Sequence, residues 1–239
     1  MSVPVDVSQV STTDRFTDRM WQHTDTVRKA IDDLEFLRKL GDGTLPLDAF
    51  RFYIEQDALY LAGYAKALAL LAAKAPDPAT AAFWASSAAT AATEESALHR
   101  GLLTGGVLPA GDGVAAPSPA CLGYVSYLTA TVATEPYAVG AAAVLPCFWI
   151  YAEVGRGLAA RAADVLAADP QHPYAQWVTT YDAPEFHASV ATARELVDAA
   201  AVAATDTDRA AMVYAFTVAT RYELMFWDTA LHRQEWPAS

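Results

Sequence analysis

The amino-acid sequence predicts an all-α fold, a multi-helix bundle, and three observations carry that expectation. The segments are long and rich in Ala and Leu, both good helix formers. Apolar residues recur at helical spacing, and almost no stretch alternates as a half-buried strand does. Clusters of Pro and Gly separate the segments, as breakers between helices should. With 239 residues, 54% of them hydrophobic, the chain can bury a large core. With only 18% charged residues it lacks the composition of a disordered chain.

Residues 1–15 read as a loose arm ahead of one domain over residues 16–239. A first helix is expected over Phe16–Leu40, closed at Gly41-Asp42-Gly43 by a left-handed cap. A second starts near Pro46, a residue suited to a first turn, and runs to Lys74 before Pro76 and Pro78 break it. A third covers about Pro78–Leu103. The segment TGGVLPAGDGVAAPSP follows and must be a loop. Further helices are expected over Ala120–Ala133, Tyr137–Ala168, Pro173–Thr180, Pro184–Val202 and Asp206–Arg233. Short connections between them favour antiparallel neighbours in a bundle.

Charge and cysteine usage narrow the function classes. The formal net charge of -12 disfavours direct contact with nucleic acid. Two cysteines are too few for a disulfide framework in a chain of this size, so both read as reduced thiols. The N-terminus lacks the pattern of a signal peptide, and alanine-rich runs such as Ala65–Ala75 are interrupted by charge or proline. A cytoplasmic location without membrane contact is the expectation. No phosphate-binding glycine loop and no CxxC occur. Glu95 and His99 are the nearest approach to a di-iron pair, at the wrong spacing and only once.

Three residues stand out chemically. Asp57 has Tyr53, Ile54, Tyr60 and Leu61 as its helical neighbours, so an acid lies on an apolar, aromatic stripe. Glu223 repeats the pattern among Ala219, Thr220, Phe226 and Trp227. Such acids are buried only with a partner. They serve either as structural ties, Glu223 with an arginine such as Arg221, or as an acid–base pair divided between two helices. Cys147 follows Pro146 within a long helical pattern and shares a face with Tyr151 one turn on. A lone thiol in an apolar helix is more often inert core than nucleophile, so both readings stand. Cys121, at the start of another helix, is expected to feel a dipole that lowers its pKa and to be the more readily alkylated thiol. Aromatic residues near the acids either pack the core or stack a flat heterocycle.

Four segments, FYIEQDALYLAGYAKAL, YVSYL, LPCFWIYAEVG and RYELMFWDTAL, occur in an order and at separations that resemble the TenA family, in its cysteine-containing class. The stretch HPYAQWVTTYDAPEF fits the same pattern. The resemblance implies a heme-oxygenase-like bundle without heme. It implies a thiaminase II, an aminopyrimidine aminohydrolase that converts thiamin or an aminomethyl-pyrimidine to hydroxymethyl-pyrimidine for thiamin salvage. It also implies a homotetramer and no cofactor. By the same resemblance Cys147 is the nucleophile, Asp57 binds the pyrimidine beside the thiol, and Glu223 contacts a ring nitrogen and donates its proton. Tyr60, Tyr124, Tyr151, Tyr181 and Phe226 orient or stack the ring. A non-enzymatic protein that binds thiamin pyrimidines or regulates is the alternative, and it would need the acids and rings but no thiol.

Overall fold

A computed structural model describes residues 15–95, 101, 108–109, 116–169, 174, 183–234 and 236. Within them the chain forms α1 (Phe16–His23), α2 (Asp25–Asp32), α3 (Glu35–Gly41), α4 (Leu47–Ala73), α5 (Pro78–Thr90), a π-helical turn (Ala91–Glu95), α6 (Pro119–Thr134), α7 (Tyr137–Ala168), α8 (Pro184–Ala203) and α9 (Asp206–Asp228), with no strand among the described residues.

The helix starts follow from local chemistry. The Asp77 side chain accepts from the backbone N–H groups of Ala79 and Thr80 at the head of α5, and Ser118 accepts from Cys121 N at the head of α6. Pro78, Pro119 and Pro184 each sit in a first turn, where a missing N–H costs nothing. Thr205 and Asp208 form a reciprocal capping box on α9. Gly43, at φ 73°, takes the left-handed conformation expected after α3.

Two expectations need correction. The first predicted helix is three helices. At Thr24 the backbone leaves the helical region, and the Thr24 hydroxyl donates to Met20 O and Trp21 O while the Arg28 guanidinium also donates to Trp21 O. Met20 O still accepts from Thr24 N, but these side chains crowd the Trp21 carbonyl that Asp25 N would use in a continuing helix. Leu34 is extended and separates α2 from α3. The third predicted helix is interrupted by a π turn at Ala91–Glu95 after Thr90, and Gly101, within the predicted span, is again α-helical. The predicted helix over Pro173–Thr180, most of the glycine-rich loop and most of the N-terminal arm lie outside the described residues.

α7 is the central element, packed by α9, α8, α6, α3 and α4. By length and composition its segment Tyr137–Val165 is apolar enough to cross a membrane, contrary to the expectation that no run qualifies, but 89% of that apolar window is buried within the bundle. α4 packs on α5, on α6 and on α7. It comes close to α6 at Gly63, where a methyl in place of the glycine hydrogen would meet Val125 Cγ1 at 2.3 Å. α1 and α2 are held by a stack of four groups. The Trp21 and Trp149 rings lie 4.0 Å apart and nearly parallel, the Arg28 guanidinium is 3.8 Å from the Trp21 ring, and Arg194 is 3.8 Å from Trp149.

Candidate active site

α4, α5, α7 and α8 enclose a cavity of about 160 Å³. Asp57, Tyr60 and Tyr64 line it from α4, and Cys147, Phe148 and Tyr151 from α7. Phe83, Ser86, Ser87 and Thr90 complete it from α5, with Phe186 and Ser189 from α8. The spacing that put Asp57 on one face with Tyr60, and Cys147 with Tyr151, therefore brings four of the sequence-predicted residues to one wall.

Pro146 has no N–H, so the Ala142 carbonyl loses its usual helical donor just before Cys147. α7 nevertheless runs on through it. At the same turn the Tyr64 hydroxyl donates to Val144 O at 3.0 Å, pinning α4 to α7 beside the thiol.

Asp57 is buried and accepts from the Tyr151 hydroxyl at Oδ1, 3.3 Å away. The Tyr151 oxygen is in turn 3.1 Å from the Tyr53 hydroxyl. Tyr53 was not among the residues that the sequence singled out for a site. Its position four residues before Asp57 was the available signal.

Glu223, Tyr124 and Phe226 do not line this cavity. They form the layer behind it: the Tyr60 ring, which does line it, lies 4.9 Å from the Tyr124 ring and 5.4 Å from Phe226. Glu223 is wholly buried, and its Oε1 accepts from the Tyr124 hydroxyl at 2.7 Å. Tyrosine, not Arg221, is thus its partner. Arg221 is exposed. Burial raises the Glu223 pKa to about 8. The Tyr124 hydroxyl opposes that rise, the Asp57 charge adds to it, and the Trp227 indole also opposes it. At neutral pH the carboxyl keeps its proton. Burial likewise pushes the hydroxyls of Tyr53, Tyr60, Tyr124 and Tyr151 well above the ordinary phenol range, so all four remain neutral donors. Tyr181 lies outside the described residues.

The expectation for Cys121 is overturned. Its thiol is buried and donates to Gln56 O at 3.5 Å. Burial, with the Asp57 charge second, pushes its pKa up to about 12, which outweighs any help from the helix start. Cys147, not Cys121, is the thiol on the cavity wall. Gln56, next to Asp57, also fixes the approach to α6, because its side-chain amide donates to Ala116 O at 3.0 Å and accepts from Ser118 N at 2.7 Å.

With this geometry in view, the relatives are informative. The chain is 42% identical over 221 residues to the thiamine biosynthesis multifunctional protein ThiED of Corynebacterium efficiens. That match takes in 92% of this chain, which spans 29% of the length of that relative. It is 35% identical to the aminopyrimidine aminohydrolase of Bacillus subtilis, over 85% of this chain and 84% of the relative. Among solved structures, a TenA homologue from P. horikoshii OT3 superimposes with a TM-score of 0.79 at 29% identity, covering 91% of this chain and 99% of its own. A Shewanella denitrificans domain with a heme oxygenase-like fold shares the architecture at a TM-score of 0.71 and 15% identity, over 90% and 92% of the two chains. The TENA/THI-4/PQQC family model matches residues 22–233, and the chain belongs to that family.

Proposed function

We propose that this protein is a thiaminase II-type hydrolase that converts an aminopyrimidine of the thiamin pathway to its hydroxymethyl counterpart, with Cys147 as covalent nucleophile. The observation that carries the reading is the meeting of Asp57 and Cys147 on the wall of one largely apolar cavity. The Bacillus subtilis relative, named an aminopyrimidine aminohydrolase, supports the substrate class.

In this reading the flat ring enters against Tyr60, Phe148 and Tyr151. A ring nitrogen takes the proton that Glu223 retains at neutral pH. Because Glu223 stands one layer back, the Tyr124 hydroxyl, which donates to Glu223 Oε1 at rest, must turn its proton toward the neighbouring Tyr60 hydroxyl and accept that of Glu223, while Tyr60 passes its own proton to the ring. The ring carbon beside the nitrogen becomes electrophilic. The Cys147 sulfur bonds to it while the thiol proton passes to Asp57. The electron pair then returns through the ring and breaks the bond from the exocyclic methylene to its amino group, which leaves as ammonia with the proton from Asp57. Water adds to the exposed methylene and yields a proton to Asp57. The carbon–sulfur bond breaks, the sulfur recovers that proton, and the ring nitrogen returns its own to Glu223. The net change is water in and ammonia out, and no step calls on a metal or an organic cofactor. We further propose that the protein acts in the cytoplasm as a homotetramer.

The test is incubation of the purified protein with aminomethyl-pyrimidine and, separately, with thiamin, while hydroxymethyl-pyrimidine is followed by chromatography. Release of that product from either supports the reading. Binding of both without turnover would leave a pyrimidine-binding protein instead.

A further inference from the structure

We propose that Tyr53 is a positioning residue for the Asp57–Cys147 pair, acting through Tyr151. The direction of the hydrogen bonds carries the argument. A phenol hydroxyl has one proton to give. Tyr151 directs its proton to Asp57 Oδ1 at 3.3 Å. The proton in the 3.1 Å contact between Tyr53 and Tyr151 must then be that of Tyr53. The chain runs one way, from Tyr53 to Tyr151 to Asp57, and ends on the carboxylate that shares a cavity wall with the Cys147 thiol.

Three features make Tyr53 a fixed anchor. It is buried to 1% exposure in the core. Its ring stacks on Trp227 at 5.1 Å and 12°, and the Tyr151 ring leans on the same indole at 4.8 Å. It lies one turn before Asp57 on α4, so α4 holds both ends of the chain, with Tyr151 of α7 between them. A hydroxyl that receives a donor is itself polarised into a better one. Without Tyr53 the Tyr151 hydroxyl can rotate away, and the Asp57 carboxylate is free to turn from the thiol. The Asp57 charge also acts on Cys121 of α6 and on Glu223 of α9, and the α5 segment carries no ionisable side chain.

The experiment compares Tyr53→Phe, Tyr151→Phe, the double variant and Tyr137→Phe in the full chain. Tyr137, whose hydroxyl accepts from Trp84 Nε1, controls for the loss of a core hydroxyl elsewhere. The first readout is the rate at which a small neutral alkylating reagent modifies Cys147, followed by peptide mass spectrometry. The expected result is a fall of about three- to tenfold in Tyr53→Phe, the worth of one hydrogen bond. The double variant should react no more slowly than Tyr151→Phe alone, because the two hydroxyls act in series. Tyr137→Phe should match the parent. The second readout, which rests on the hydrolase reading, is a similar fall in kcat with little change in KM. An unchanged alkylation rate in Tyr53→Phe, additive losses in the double variant, or an equal loss in Tyr137→Phe each overturns the proposal. A parent protein that reacts with the reagent but hydrolyses no pyrimidine refutes the hydrolase reading alone, because the alkylation series still decides the role of Tyr53.

Discussion

At Glu223 burial keeps in place the proton that the proposed reaction would use. A carboxyl with a folded-state pKa of about 8, against an ordinary value of 4.5, holds a proton that the unfolded chain has already released above pH 4.5. Between those values the folded state binds more protons than the unfolded one, so its stability falls as pH rises through the window. The loss approaches about 1.4 kcal/mol per pH unit at its steepest. Glu223→Gln removes that slope. Melting temperatures of parent and variant, measured from pH 4.5 to 8.5, should diverge in favour of the variant as pH rises. If Glu223 supplies the ring proton, kcat/KM of the parent should also decline above about pH 8. The two thiols give a second contrast. Cys147→Ser should cost several orders of magnitude in turnover, whereas Cys121→Ser, which loses only a buried contact with Gln56 O, should retain it within a few-fold. Near-normal turnover in Cys147→Ser would sink covalent catalysis. Helical spacing set Asp57 on a face with Tyr60 and Cys147 on a face with Tyr151, the family resemblance named them as site residues, and the structure brings the four to one cavity. Tyr53 was not legible, since the direction of its hydroxyl depends on a partner 98 positions away. Cys121 was misjudged for a similar reason. Sequence shows that it begins a helix but not that α4 seals it from water.

Among the elements, α4 and α6 meet closely at Gly63. Gly63→Ala would place its methyl 2.3 Å from Val125 Cγ1 and 3.2 Å from its Cβ, so the Val125 side chain or one of the helices must shift. Overpacking of this kind costs roughly 1–3 kcal/mol, more than alanine gains as a helix former. The urea midpoint should therefore drop. The displacement would also separate Tyr60 from Tyr124, whose rings now lie 4.9 Å apart, and activity should fall further than stability alone explains. A midpoint at or above that of the parent would refute the tight contact. The boundaries of α4 and of α6 to α8 were readable to within a residue or so because prolines and caps write them into the chain. α9 began where expected and stopped earlier, at Asp228. The break at Thr24 escaped because it involves the Thr24 and Arg28 side chains reaching backbone carbonyls, which no periodicity records.

For the molecule as a whole, α6 and α9 turn an unusual surface outward. Leu122, Tyr214 and Met225 are exposed there, with Tyr214 at 68%. Tyr222 of α9, half-buried, stacks on Tyr124 at 5.4 Å, and Tyr124 holds Glu223. A second copy covering this face would remove apolar area from water and brace the layer behind the cavity. Light scattering at micromolar concentration should give four times the 25.5 kDa chain mass. A monomer would exclude the tetramer.

The pairing of Trp21 with Trp149 has an optical consequence. Two indoles 4.0 Å apart and nearly parallel share their excited states, which splits their absorption into coupled bands and quenches their emission. Trp149 sits two residues beyond Cys147, while Trp21 belongs to α1. Any loosening of α1 from the core would collapse the dichroic couplet and brighten the fluorescence. The chain thus carries a native reporter of its first helix, read without a dye, within two residues of Cys147 on the cavity wall.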